Sequence, residues 1–148
     1  MNLRVWDLDS GKQVQCCREH GVVGSYWHPV LFSRDGSRAL SGHLATVRVW
    51  DVASGRELRQ IELDQGDIVR CLDLSPDGHR LLIGTESYIY VWDLVVPRQV
   101  CCLTRGSRAT VSSVAFSPDG RRAAGNPDPR NVHVWDLPGR NPRVRGER

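Results

Sequence analysis

The chain has 148 residues, with 40% hydrophobic and 25% charged side chains, as in water-soluble globular proteins, and no run approaches the roughly 18 apolar residues of a membrane-spanning helix. Its formal net charge of +3 comes from the basic tail at 139–148, because residues 1–138 carry equal numbers of basic and acidic side chains. These features exclude a membrane span and a strongly basic surface, so we expect a cytoplasmic protein that binds neither membrane nor nucleic acid.

Residues 1–18 are predicted to form two short strands separated by a turn, at 3–7 and near 14–17. The first of these strands ends in the tripeptide Val5-Trp6-Asp7. Later segments have two further strands before the same tripeptide, so this segment is interpreted as the last two strands of a truncated unit.

Residues 19–63 and 64–104 are each predicted to form a four-stranded antiparallel unit, and the second is the clearer one. Its first two strands are joined by Ser75-Pro76-Asp77-Gly78, a β-turn in which proline presets φ and glycine accepts positive φ. Its third strand ends in Val91-Trp92-Asp93. The four strands are predicted at 67–74, 80–84, 88–93 and 99–103.

Residues 105–138 are predicted to form a final three-stranded unit, and 139–148 a disordered basic tail. The turn Ser117-Pro118-Asp119-Gly120 joins the first two strands, as in the unit before. The three strands are predicted at 111–116, 121–125 and 131–136.

The Val-Trp-Asp tripeptide recurs four times, and its tryptophans are separated by 44, 42 and 43 residues. The Ser-x-Asp-Gly turn recurs three times at a nearly constant distance before the tripeptide. Two landmarks with one period indicate a single supersecondary unit that is copied along the chain and stacks on its neighbours. The repeat residues are Trp6, Asp7, Trp50, Asp51, Trp92, Asp93, Trp135 and Asp136.

With these residues in view, the chain resembles the WD-repeat β-propeller family from residue 1 to about residue 137. The resemblance implies an all-β fold of β-propeller-type four-stranded antiparallel blades. The propeller is incomplete, with about three blades and 13 strands. We expect the chain to be the C-terminal part of a longer propeller. Two chains that close a six-bladed ring head to tail, an open monomer and a degraded gene remain as alternatives.

The family pattern also implies a buried His–Asp–Ser/Thr–Trp hydrogen-bond network in each blade. His20 is the nearest match to the histidine, and Gln65 and Ser107 stand at its place in later blades. Thr85 is the expected second-strand Ser/Thr, which is replaced by His43 and Pro127 in the flanking blades, while Asp128 keeps the turn aspartate. No blade is expected to hold the full network.

The resemblance implies a rigid platform whose loops on one rim, leading into each first strand, bind a protein partner. The candidate partner-binding residues are Tyr26, Trp27, His28, Arg70 and Ser112. We therefore predict a non-catalytic interaction scaffold. The alternative is a regulatory appendage of a larger enzyme, such as a bacterial protein kinase, whose catalytic domain lies outside this chain.

The five cysteines and five histidines do not indicate a metal or redox site. The cysteines occur as two adjacent pairs and one single residue, and adjacent strand residues point to opposite faces, so paired thiols do not converge. No Gly-x-Ser-x-Gly elbow surrounds Ser41 or any other serine. We expect no cofactor, no metal and no enzymatic activity.

Overall fold

A computed structural model describes residues 2–18, 29–63, 67–104, 110–128 and 130–139. The regular structure in these ranges consists of thirteen β-strands, which confirms the predicted all-β fold. Over the same ranges, the structure contains no helix of the length and apolarity needed to cross a membrane.

The thirteen strands form four antiparallel sheets in chain order. The first sheet contains β1 (Asn2–Trp6) and β2 (Gln13–Arg18). The second contains β3 (Val30–Phe32), β4 (Arg38–His43), β5 (Thr46–Asp51) and β6 (Glu57–Glu62). The third contains β7 (Val69–Leu74), β8 (Arg80–Thr85), β9 (Ile89–Asp93) and β10 (Arg98–Thr104). The fourth contains β11 (Val114–Phe116), β12 (Arg122–Asp128) and β13 (Asn131–Asp136).

The Ser-x-Asp-Gly turns close the hairpins between the first and second strands of the last three sheets. In each turn the glycine has positive φ, for example +70° at Gly78, and its N–H donates to the carbonyl oxygen of the turn serine. The turn aspartate accepts from the serine hydroxyl, as Asp35 does from Ser33 at 2.6 Å. These bonds hold the pKa of Asp35 at about 2.

The sheets stack face to face because alternate residues of each strand are apolar. Val47 and Val49 of β5 pack against Val69, Leu81 and Ile83 of the third sheet. A second cluster joins the third and fourth sheets; its members are Leu82, Ile89, Val91, Val111, Val114, Ala123 and Leu137. A smaller cluster joins the first and second sheets through Cys17, Ala39 and Trp50.

The sheets pack closely at a glycine in the second strand of the second and third sheets. A Cβ atom at Gly84 would lie 2.9 Å from Cγ1 of Val111 and would also collide with the sulfur of Cys71. Gly42 occupies the same register position in β4, where a Cβ atom would lie 2.6 Å from Cγ1 of Val69, whereas Asn126 stands at this position in β12. Glycine at this position therefore allows the first strand of the following sheet to pack directly on the backbone.

The stack is open at both ends of the described residues, which confirms an incomplete propeller. Val132 and Val134 of β13 are 73% and 62% exposed, whereas Val47, at the place of Val132 in β5, is fully buried. At the other end, Trp6 is 53% exposed, whereas Trp50 is 2% exposed. The same sequence pattern is thus buried only where a neighbouring sheet covers it.

Several predicted strand boundaries were wrong, most clearly in the fourth sheet. β11 begins at Val114 and not at 111, because the N–H groups of Ser112 and Ser113 donate to Oδ1 of Asn126 and not to a neighbouring strand. β12 ends at Asp128 and not at 125. A side chain thus replaces the expected ladder at this end of the sheet.

Candidate functional site

The rim is the edge of the stack formed by the loops that enter β7 and β11 and by the turns that follow β4, β8 and β12. Of the residues predicted to bind a partner, Arg70 and Ser112 lie at this edge. Tyr26, Trp27 and His28 lie outside the described residues. The structure therefore places two of the five predicted residues at this edge.

Arg70 lies on β7 beside the rim turn after β8. Its guanidinium donates to the Glu86 carboxylate, and the two side chains form an ion pair that is partly shielded from water. The Nε atom of Arg70 is buried and has no hydrogen-bond partner among the described residues. Arg70 thus presents a fixed and already neutralised cation at the rim.

Ser112 lies in the loop that enters β11 and is exposed. The amide of Asn126 donates to the Ser112 hydroxyl at 2.6 Å, and the Asn126 carbonyl oxygen accepts the N–H of Ser113 at 2.8 Å. The Ser112 hydroxyl accepts this bond, so its own proton stays available to a partner. The loop is fixed by side-chain hydrogen bonds, which sequence reasoning missed because Asn126 was placed beyond the predicted end of its strand.

A buried polar pair lies beneath the rim of the third sheet. The Tyr90 hydroxyl donates to Oδ2 of Asp67 at 3.0 Å, and both residues are buried. Desolvation raises the pKa of both groups, and the negative charge of Asp67 raises the pKa of Tyr90 further. Tyr88 stacks on Tyr90 with a centroid distance of 5.5 Å. In the sequence, the spacing of Tyr88 and Tyr90 two residues apart on one strand could have indicated that the two rings lie on the same face.

Asp128 holds the rim turn of the fourth sheet. Its Oδ1 accepts the backbone N–H groups of Arg130 and Asn131, each at 2.9 Å, and the bond from Arg130 makes the largest contribution to lowering its pKa. His133 approaches its Oδ2 at 3.3 Å and stacks on Trp135. Asp128 thus has the turn role expected for it.

The expected position of the second-strand serine was wrong in the second sheet. The Trp50 indole N–H donates to the Ser41 hydroxyl at 2.9 Å in the buried interior, so Ser41 and not the place of His43 supplies the acceptor. In the third sheet Ile83 occupies the register position of Ser41. Nε1 of Trp92 accordingly is buried with no hydrogen-bond partner among the described residues.

The repeat aspartates mostly fix the turn between the third and fourth strands. Asp7 accepts the N–H of Ser10 at 2.8 Å, and Asp51 accepts the N–H of Ser54 at the same distance. Asp93 accepts two backbone N–H groups of the same turn, whereas Asp136 pairs with Arg122. These aspartates have structural contacts that account for their recurrence.

The described residues include no group of three His, Cys, Asp or Glu side chains arranged to hold a metal ion. None of the five cysteines, all within the described ranges, forms a disulfide. Burial raises the pKa of the Cys71 thiol to about 12, which disfavours the reactive thiolate.

A family model described as "WD domain, G-beta repeat" matches residues 55–93 and 99–136, slightly more than half of the chain. The first match runs from just before β6 to the end of β9, so it contains the fourth strand of one sheet and three strands of the next. No curated protein matches the chain.

Proposed function

Because the chain belongs to the WD domain, G-beta repeat family, we propose that it is a non-catalytic scaffold that binds a protein partner through the rim. Domains of this family are in general protein-interaction modules. The finer part of the proposal is the surface: the partner contacts the loops that enter β7 and β11, together with Arg70 and Ser112.

The observation that carries this proposal is the prior ordering of the rim. The Val69 N–H donates to the Leu44 carbonyl oxygen at 2.8 Å, and the Val111 N–H donates to the Thr85 carbonyl oxygen at 3.1 Å. Each of these bonds ties the start of a first strand to the preceding sheet. Since the described residues next to Val69 and Val111 are already tied to the stack, little conformational freedom is lost there on binding, which favours affinity.

Partner capture with rim variants tests this surface. Immobilised chain is cross-linked to its partner, and the yield is compared for the wild type, Arg70→Ala with Ser112→Ala, and Tyr26→Ala. Arg34→Ala is the matched control, because Arg34 is an exposed arginine on the opposite edge of the second sheet. The yield of cross-linked partner should fall at least tenfold in the rim variants and should stay unchanged in the control. Equal capture by all folded variants would discard the rim.

The open ends of the stack support a second part of the proposal. We propose that further polypeptide covers those faces. Val132 and Val134 lie on an apolar face whose counterparts in the preceding sheets are covered. Additional blades of a longer protein, or a second copy placed head to tail, would cover it. A longer protein could also contain a catalytic domain, and this chain would then be its regulatory appendage.

The mass in solution separates these arrangements. Sedimentation of the purified chain should give twice the chain mass if a second copy covers the face, and Val134→Asp should return it to the mass of one chain. Val95→Asp is the control, because Val95 is an exposed valine in a turn away from that face. A single-chain mass at all concentrations would rule out the second copy.

A further inference from the structure

An arginine begins the second strand in each of the last three sheets, at Arg38, Arg80 and Arg122. The three side chains have different surroundings. Arg38 is exposed, and Arg122 is exposed and pairs with Asp136 at 2.9 Å. Arg80 is only 7% exposed, and its Nε atom is buried without a hydrogen-bond partner. Among the described residues, no carboxylate lies within ion-pair distance of Arg80.

Partial burial of a guanidinium without a nearby anion is unfavourable, because the Nε atom of Arg80 loses hydration without gaining a hydrogen bond. The position therefore favours an anion, and Arg80 is the one arginine of the three that is buried in this way.

Arg80 lines a cavity of about 300 Å³ between the third and fourth sheets, on the edge opposite the rim. The turn at 75–77, the turn at 119–121 and residues 137–139 form its walls. Arg121 brings a second cation, while Leu137 and the two prolines supply apolar surface. The cavity thus joins cationic groups with walls that suit a short aliphatic chain.

Two carboxylates also line this cavity, and each accepts hydrogen bonds within its own turn. Asp119 accepts the Ser117 hydroxyl at 2.6 Å and the Arg121 N–H at 3.0 Å. Asp77 accepts the Ser75 hydroxyl at 2.6 Å and contacts His79 through its other oxygen at 3.2 Å. They do not pair with Arg80, yet their charges disfavour a multiply charged anion over a singly charged one.

We propose that this cavity is a carboxylate-binding site, with Arg80 as the principal ligand and Arg121 at its mouth. The carboxylate belongs to a short aliphatic chain, either a small free acid or a glutamate side chain of another polypeptide. The site lies away from the rim, so it goes beyond the proposed scaffold function and does not depend on it.

Nuclear magnetic resonance titration of the full chain tests the site through the amide signals of Gly120 and Gly139. The probes are propionate, for the free acid, and acetyl-Gly-Glu-Gly-amide, for the polypeptide source. Acetyl-Gly-Gln-Gly-amide and sodium chloride at equal ionic strength are the controls. A saturable shift with either carboxylate, and none with the controls, is the expected result. The probe that saturates at the lower concentration identifies the source.

Arg80→Met and Arg121→Ala should weaken carboxylate binding at least tenfold and severalfold, respectively. Arg122→Met is the matched control, since it removes the equivalent arginine outside the cavity and should leave binding unchanged. Arg80→Met should also raise the thermal midpoint of the chain without ligand, because it removes an unpaired buried charge. Arg80→Gln also removes the charge and serves if the methionine variant does not fold.

Two results would overturn the proposal. One is a folded wild-type chain whose amide signals show no saturable response to either carboxylate. The other is a response that persists at equal affinity in Arg80→Met, or in Arg80→Gln if the methionine variant does not fold. A lower thermal midpoint for folded Arg80→Met would count against it as well, because Arg80 would then have a partner inside the protein.

Discussion

Removal of the Ser41 hydroxyl should leave the Trp50 indole N–H without an acceptor in the interior. The two groups are 2.9 Å apart, and both residues are buried, so water cannot replace the lost bond. A buried donor without a partner costs about 1–3 kcal/mol. The substitution Ser41→Ala removes one small atom and opens little space, so this cost should dominate the change in the free energy of unfolding.

A double-mutant cycle with Trp50→Phe isolates the hydrogen bond from other effects. Phenylalanine has no N–H to satisfy, so Ser41→Ala should cost about 1–3 kcal/mol in the wild-type background and close to zero in the Trp50→Phe background. Ser113→Ala is a control on an exposed serine and should change stability by less than about 0.5 kcal/mol.

Urea unfolding followed by far-ultraviolet circular dichroism gives these free energies without relying on tryptophan fluorescence. All four proteins of the cycle are measured in one buffer at one concentration. If Ser41→Ala costs the same in both backgrounds, the bond contributes nothing to stability and the buried-donor reasoning is refuted.

Three further predictions concern packing, acid stability and a bond between sheets. Gly84→Ala should destabilise the chain by about 1–3 kcal/mol in urea unfolding, because the new Cβ would overlap the next sheet, whereas Gly139→Ala has open space and should be neutral. The pKa of Asp35 falls from 3.8 to about 2 on folding, so its contribution to the free energy of unfolding is present above pH 3.8 and is lost as the pH falls towards 2. Asp35→Asn should make the free energy of unfolding less dependent on pH over that window, and an unchanged pH dependence would contradict this. Asp73→Ala should lower the free energy of unfolding by about 1–3 kcal/mol, because Asp73 accepts the Phe116 N–H of the adjacent sheet at 2.6 Å. Calorimetry measures this loss, and an unchanged stability would show that water replaces the carboxylate.

The fold could be predicted from the sequence because its signals are local and repeated. The Ser-x-Asp-Gly turns, the alternation of apolar residues and the Val-Trp-Asp tripeptide each act within one hairpin. Local signals do not report what lies across a sheet interface. Trp6 and Trp50 have the same tripeptide, yet one is half exposed and the other buried, because only Trp50 has a sheet on its far side.

The candidate site was less accessible to prediction because its contacts depend on strand register and on neighbouring sheets. Ser41 was missed as the Trp50 acceptor because sequence spacing alone placed that role two residues later. The Glu86 partner of Arg70 follows from the pairing of β7 with β8. Arg80 in β8 is buried whereas its counterpart Arg38 in β4 is exposed, although a further sheet follows both strands, so the repeat pattern does not report this difference.

The offset between the matched repeats and the sheets has a consequence for how the chain can evolve. Each match begins within two residues of the start of the fourth strand of one sheet and ends with the third strand of the next. Duplication or loss of one such stretch would insert or remove the equivalent of one whole sheet while every hairpin partner is preserved. A cut at a sheet boundary would instead separate strands that the ancestral unit supplied together. Lengthening this architecture therefore requires no new interface, since each added copy contains the fourth strand that pairs with the preceding sheet.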